Sequence, residues 1–139
     1  MQSTMHRDQK IRALRSVPLF DALSQKELAE LARAGDELDV PAGKVLTAEG
    51  AIGSEFFVLL SGAATVSQSG QELGSMAPGD FFGEIALIDD TPRTATVTAV
   101  TPLRIFVLTR QRFRSHVERQ PEVGQKVREA AARRLEAHP

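Results

Sequence analysis

Hydrophobic positions along this chain keep a helical spacing at both ends and a strand-like spacing in the middle. Ile11 and Leu14 share one face of a short helix expected over residues 7–16, which Pro18 ends. Ser24 followed by Glu27 has the form of a capping box, so a second helix should start there and run to about Ala34, burying Leu28 and Leu31. Gly35 is placed to end it as a C-terminal glycine. From Asp36 to Leu108 short apolar pieces alternate with turn signals. The pieces are Lys44–Thr47, Glu55–Leu60, Ala63–Gln68, Gln71–Met76, Thr94–Val100 and Leu103–Leu108. Between them lie Pro41-Ala42-Gly43, Glu49-Gly50, Ser61-Gly62, Ser69-Gly70 and Pro78-Gly79-Asp80, where glycine accepts the positive φ that tight turns demand. Many short strands at this spacing indicate a sandwich or small barrel. Ala95, Val97 and Ala99 alternate with Thr94, Thr96 and Thr98, which gives that strand one buried face. After Thr109 helical spacing returns with Phe113 and Val117. Pro121 suits the first turn of a last helix, whose apolar stripe of Val123, Val127, Ala131 and Leu135 is narrow enough to pack in one state and not in another.

Composition limits what such a fold can do. The chain has 139 residues, 42% of them hydrophobic, which is enough for one core. It has no cysteine, which excludes disulfides and thiolate metal sites. Met1 to Lys10 is polar, without a signal-peptide apolar stretch, and no run approaches bilayer length, so a soluble cytoplasmic protein with no membrane contact is expected. The formal net charge of −1 hides an imbalance: residues 1–103 sum to −6 and residues 104–139 to +5. The basic segment could meet nucleic acid, an acidic partner or an anionic ligand. The general behaviour of charge runs favours a solvated helix face whose charges pair with the acidic body. A barrel enzyme with a metal would need inward histidines and carboxylates, yet the histidines are His6, His116 and His138, all outside the barrel segment. Neither a metal nor catalysis is expected.

The chemistry concentrates in residues 81–95, Phe81-Phe82-Gly83-Glu84-Ile85-Ala86-Leu87-Ile88-Asp89-Asp90-Thr91-Pro92-Arg93-Thr94-Ala95. Gly83 lets the backbone approach a ligand. Glu84 to Ile88 could form one helical turn whose unpaired N–H groups face an anion. If the strand phase extends back, Arg93 shares the inward parity of Ala95, Val97 and Ala99, and a buried guanidinium needs an anion. Two anions are open at this point: Glu84, as an internal ion pair, or a bound phosphate, which arginine grips through two parallel hydrogen bonds.

This stretch resembles the phosphate-binding cassette of cyclic nucleotide-binding domains, found in regulatory subunits of cAMP-dependent protein kinase, cGMP-dependent kinase, gated ion channels and catabolite activator-type regulators. The pattern FGE, apolar residues, a short spacer and PR-T-A is matched without a gap. Pro41-Ala42-Gly43-Lys44, Phe56 to Gly62 and Pro78 to Phe81 fall where that family has its earlier strands and turns, so the likeness covers nearly the whole chain. It implies one domain over residues 1–139: two N-terminal helices (1–35), an eight-stranded β-roll or jelly-roll barrel (36–109) with the cassette at 82–95, and C-terminal helices (110–139). The ligand would be cAMP or cGMP, with cAMP favoured; no other cofactor is implied. Phe82 to Ala95 would frame it. Arg93 would take an equatorial phosphate oxygen and Glu84 the ribose 2′-hydroxyl, while Gly83, Ile85, Ala86 and Thr94 would donate backbone N–H groups. The family's output is a shift of the C-terminal helices with a cassette leucine as relay, which makes Leu87 the relay and Phe113 its candidate partner.

Departures from the family follow from particular residues. Gly53-Ser54 stands where the family often has Gly-Asp, which is expected to weaken a turn and not the site. There is no Trp, no Tyr and no Phe after Phe113, so an aromatic lid from the last helix is excluded; Arg133, Arg134 or Leu135 are the lid candidates. Thr94 after the cassette arginine touches guanine in some relatives, but it also suits a strand start. No direct DNA binding is expected, since no helix-turn-helix follows the last helix. An unidentified protein partner is expected. The alternative is a degenerate barrel without ligand that serves only as an interaction module.

Overall fold

Two strands explain the layering. β3 (Glu55–Ser61) and β8 (Leu103–Thr109) are apolar almost without interruption because both of their faces are covered. Phe56, Val58, Phe106 and Leu108 point to the helices, whereas Phe57, Leu59, Ile105 and Val107 point to the opposite sheet. The computed structural model describes residues 7–137. It has two four-stranded antiparallel sheets, with strand orders β1-β8-β3-β6 and β2-β7-β4-β5. The other strands are β1 (Asp36–Val40), β2 (Val45–Thr47), β4 (Ala64–Gln68), β5 (Gln71–Met76), β6 (Phe81–Phe82) and β7 (Thr96–Ala99). The eight-stranded β-roll expected from the sequence is therefore present. No helix among the described residues is long and apolar enough to cross a membrane.

Helices α1 (Arg7–Arg15), α2 (Gln25–Ala34), α4 (Arg110–Phe113) and α5 (Pro121–Ala137) pack on the outer face of the first sheet, while α3 (Glu84–Asp89) lies in the cassette. The capping box of α2 is complete: Ser24 accepts from the Glu27 N–H at 3.1 Å, and Glu27 accepts from the Ser24 N–H at 2.8 Å. Gly35 ends α2, but not as a left-handed cap, since its backbone is extended (φ −123°, ψ 174°). A Cβ there would sit 2.7 Å from the Val107 carbonyl and against the Phe106 ring, so close packing explains the glycine. Between α4 and α5 the turns widen into a π-helical segment, Arg114–Glu118, which still buries Val117.

Several expected boundaries move for local reasons. β7 starts two residues later than alternation suggests, because side chains take the carbonyls of Thr94 and Ala95: Gln68 Nε2 donates to the first at 3.0 Å and Thr47 Oγ1 to the second at 3.1 Å. β8 runs on to Thr109, whose hydroxyl then caps α4 by accepting from the Arg112 N–H at 3.3 Å. In α5 the buried stripe is Val123, Val127, Ala130 and Ala131, whereas Leu135 is 36% exposed and outside the core. Of the nine basic residues in 104–139, four pair with the acidic body. Arg104 meets Asp39, Arg110 meets Asp90, Lys126 meets Asp21 and Arg134 meets Glu84.

Candidate ligand-binding site

Gly83 is the N-cap of α3 at φ 94°, a left-handed conformation that residues with a side chain rarely adopt. The turn directs the first N–H groups of α3, including those of Ile85 and Ala86, out of the helix's own ladder. Asp90 closes α3 at φ 55°, also left-handed. The short helix is thus held between two sharp turns, against β3 and α5. A cavity of about 300 Å³ opens beside it. Val66, Leu73, Val97 and Leu135 form apolar wall, and Arg93, Glu84, Gln68, Thr94 and Arg134 are among the polar groups that line it, with Thr47, Ser75 and Asp80.

Arg93 is 7% exposed and lies just before β7, not on it. Among the described residues its guanidinium finds no carboxylate within salt-bridge distance. Nη1 donates to the Gly83 carbonyl at 2.9 Å and Nη2 to the Glu55 carbonyl at 2.7 Å. Its carbon stands 5.8 Å over the Phe57 ring, which in turn stacks on Phe82 at 4.8 Å. The internal Arg93–Glu84 ion pair, one of the two partners open from the sequence, is therefore not what forms. Burial pulls the Arg93 pKa below the usual range, with Glu55 and Glu84 opposing. The result is a buried cation with two neutral acceptors and no counter-ion within salt-bridge distance.

Glu84 is 1% exposed, and its partner comes from the last helix. Arg134 pairs through Nη1 with Oε1 of Glu84, and its Nη2 donates to the Phe81 carbonyl at 2.8 Å. The Arg134 guanidinium also lies 5.0 Å over the Phe81 ring. Oε2 of Glu84 has no hydrogen-bond partner among the described residues. Burial pushes the Glu84 carboxyl up from the ordinary glutamate range, and the charge of Arg134 works against that rise.

A pH test follows from this direction. A carboxyl raised on folding holds its proton more tightly in the folded state, so its stabilising contribution is complete below the ordinary glutamate range. That contribution is lost as pH rises through the raised value. The ligand-free parent should therefore lose stability relative to Glu84→Gln as pH climbs from about 4 toward neutrality. Melting temperatures of both proteins across that window check this; parallel curves would remove the burial effect.

The remaining sequence candidates separate into two layers. Phe82, Gly83, Glu84, Ile85, Ala86, Arg93, Thr94 and Ala95 all line the cavity, as do Arg134 and Leu135. Arg133 is exposed and takes no part in it. Leu87 and Phe113 are fully buried in the helical layer, where the Phe113 ring lies 4.7 Å from Phe56. Sequence reasoning missed Gln68, Thr47 and Gly53. Gln68 was legible in principle, because it shares strand parity with the inward Ala64 and Val66, yet is polar. Gly53 was assigned to a turn alone, but a Cβ there would overlap the Arg93 guanidinium, so it belongs to the site.

Comparison with known proteins now decides the family. The sequence pattern of the cyclic nucleotide-binding domain matches residues 37–120. The chain belongs to the cyclic nucleotide-binding domain family. It is 39% identical over 117 residues to the cAMP-dependent protein kinase regulatory subunit of Aspergillus niger, covering 82% of this chain and 28% of that protein. It is 30% identical over 122 residues to the CRP-like cAMP-activated global transcriptional regulator of Mycobacterium tuberculosis, covering 84% and 54%. Among solved structures, the regulatory domain of Toxoplasma gondii PKA in co-crystal with cAMP superposes with a TM-score of 0.81 at 25% identity, covering 91% of this chain and 50% of that one. This cyclic nucleotide-binding domain thus spans between about a quarter and a half of the length of the curated relatives named here. Its fold and regulatory kinship are settled by these matches, and the relatives' outputs differ.

Proposed function

We propose that this chain is a non-catalytic sensor of cyclic nucleotide, taking cAMP in preference to cGMP and passing occupancy of the cavity to α5. The observation that carries the reading is Glu84. A carboxylate buried to 1% with one oxygen unfilled, in the wall of a cavity that also holds a counter-ion-free guanidinium, is built for a ligand with a hydroxyl and an anion a few ångströms apart. A cyclic phosphate fused to a ribose is such a ligand. Arg93 and the α3 N–H groups take the phosphate, Oε2 of Glu84 accepts from the 2′-hydroxyl, and the apolar wall meets the purine. A barrel kept only for interaction has no use for an unfilled buried acceptor. The preference for cAMP rests on the relatives named above, whose names carry cAMP.

Among the lid candidates the roles divide. Arg134 is committed to Glu84 and to the Phe81 carbonyl, so the residue left to cover the base is Leu135, which lines the cavity while 36% exposed. Leu87 relays through the shared helical core to Phe113. Occupancy should then order α5, in a cytoplasmic protein that signals to a protein partner.

Titration decides the reading. Saturating cAMP at 100 times its dissociation constant should add about 2.7 kcal/mol to stability, with cGMP giving less at equal concentration. Hydrogen exchange of residues 121–137 should slow on binding, and Leu87→Ala should keep cassette protection while reducing the helix response. The nucleotide should be recovered unchanged. No heat shift with either nucleotide would end the sensor proposal, and unchanged exchange over 121–137 would make α5 a static support.

A further inference from the structure

We infer that Gly53 is a positioning residue for Arg93, an inference that rests on Arg93 being the phosphate anchor. The reason lies in what surrounds the guanidinium. A Cβ built on Gly53 would overlap Nε and Cζ of Arg93 and come within 2.6 Å of Nη2. Gly83 encloses the other side, where a Cβ would stand 2.9 Å from Nη1. The two glycines differ in cause. Gly83 has a positive φ, so its backbone alone demands glycine, whereas Gly53 does not have one, and the three atoms nearest to a substituent there all belong to the Arg93 side chain.

The backbone cannot relieve the overlap by stepping back. The Arg93 N–H donates to the Ala51 carbonyl at 2.8 Å, and the Gly50 N–H donates to the Arg93 carbonyl at 2.8 Å, which clamps the loop to the residue whose side chain it faces. On its far side the loop is held by Arg110, whose Nη2 reaches the Gly53 carbonyl at 3.5 Å and whose Nη1 pairs with Asp90 at 3.0 Å. The end of the loop is Glu55, already in β3, and its carbonyl is one of the two acceptors of the Arg93 fork. The movable part is therefore the guanidinium. A methyl group at residue 53 would drive it off the Gly83 and Glu55 carbonyls and change where its remaining N–H groups point. Bidentate recognition of phosphate depends on that direction.

The test separates positioning from bulk stability. Ligand-free melting is measured for the parent, Gly53→Ala, Arg93→Ala and the double variant. Gly53→Ala should lower the melting temperature by several degrees in the parent and by much less beside Arg93→Ala, where the obstacle is gone. In the parent background Gly53→Ala should weaken cAMP binding about tenfold or more and shift the Arg93 Nε–H resonance. Ser54→Ala, in the same loop and exposed, should leave cAMP affinity unchanged. Additive melting shifts, or parent-level cAMP affinity in Gly53→Ala, overturn the inference. If the parent binds neither cAMP nor cGMP, the sensor reading itself fails, while the ligand-free melting cycle still decides whether Gly53 sets the position of Arg93.

Discussion

Arg93→Ala is expected to abolish measurable cyclic nucleotide binding at micromolar ligand while the barrel stays folded. Removing one member of a buried, hydrogen-bonded charge contact costs about 2–5 kcal/mol, or roughly 30- to 5,000-fold in affinity. Stability should suffer far less. Two carbonyls lose their donors, but a guanidinium that burial disfavours is also removed, and the two effects oppose each other. Arg93→Lys should recover only part of the affinity. A lysine ammonium is a point charge, and it cannot reproduce a planar fork that spans Gly83 and Glu55 while presenting further donors outward. Calorimetric titration of the three proteins with cAMP checks this; an alanine variant with parent affinity would remove Arg93 from the site.

Arg134→Ala should produce the second large effect, in both stability and specificity. It leaves Glu84 buried with nothing to offset the burial of its charge. Breaking a buried pair by removing one partner typically costs 3–5 kcal/mol, and about 2 kcal/mol is the better expectation here, because 34% of the Arg134 side chain remains in solvent. Glu84 should then hold its proton to higher pH and become a poorer acceptor for a ribose hydroxyl. The parent should prefer cAMP over 2′-deoxy-cAMP by about tenfold or more, the value of one charge-assisted hydrogen bond. In Arg134→Ala that preference should shrink at neutral pH and return as pH rises. Glu84→Gln combined with Arg134→Ala should be less damaged in stability than the two single losses added together. An undiminished preference in Arg134→Ala would show that the last helix has no hold on ribose recognition.

How much of this was legible beforehand varies with the kind of interaction. Strands with strong apolar content, such as Phe56 to Leu60 and Leu103 to Leu108, were readable because burial on both faces leaves a continuous hydrophobic record. β1, with the sequence Asp36-Glu37-Leu38-Asp39-Val40, was not. Its acidic residues disfavour strands, and it exists because β8 pairs with it and because Lys10 and Arg104 take Glu37 and Asp39 at 3.1 Å each. The cassette was legible as a motif, but Gly83 was read as a point of close backbone approach and not as the left-handed N-cap that it is. The partners of its two charges were not legible. Arg93 meets backbone carbonyls, which every residue has and no sequence advertises, and Glu84 meets a residue fifty positions away. Gly53 looked like half of a weakened turn because a glycine read from sequence suggests backbone freedom first and an absent side chain second.

The strand order also sets a timetable for synthesis. In each sheet a late strand joins earlier ones: β8 lies between β1 and β3, and β7 lies between β2 and β4. A nascent chain that has emerged through Asp90 holds six of the eight strands, yet β1 and β2 have no neighbour to pair with. Asp36 waits for Val107, and Val45 waits for Thr98. Until then β3, apolar on both faces, is paired on one edge at most and is a target for chaperones or for its own copies. Both sheets therefore close late, through pairings of high sequence separation, and the folding rate is governed by that topology more than by any single contact.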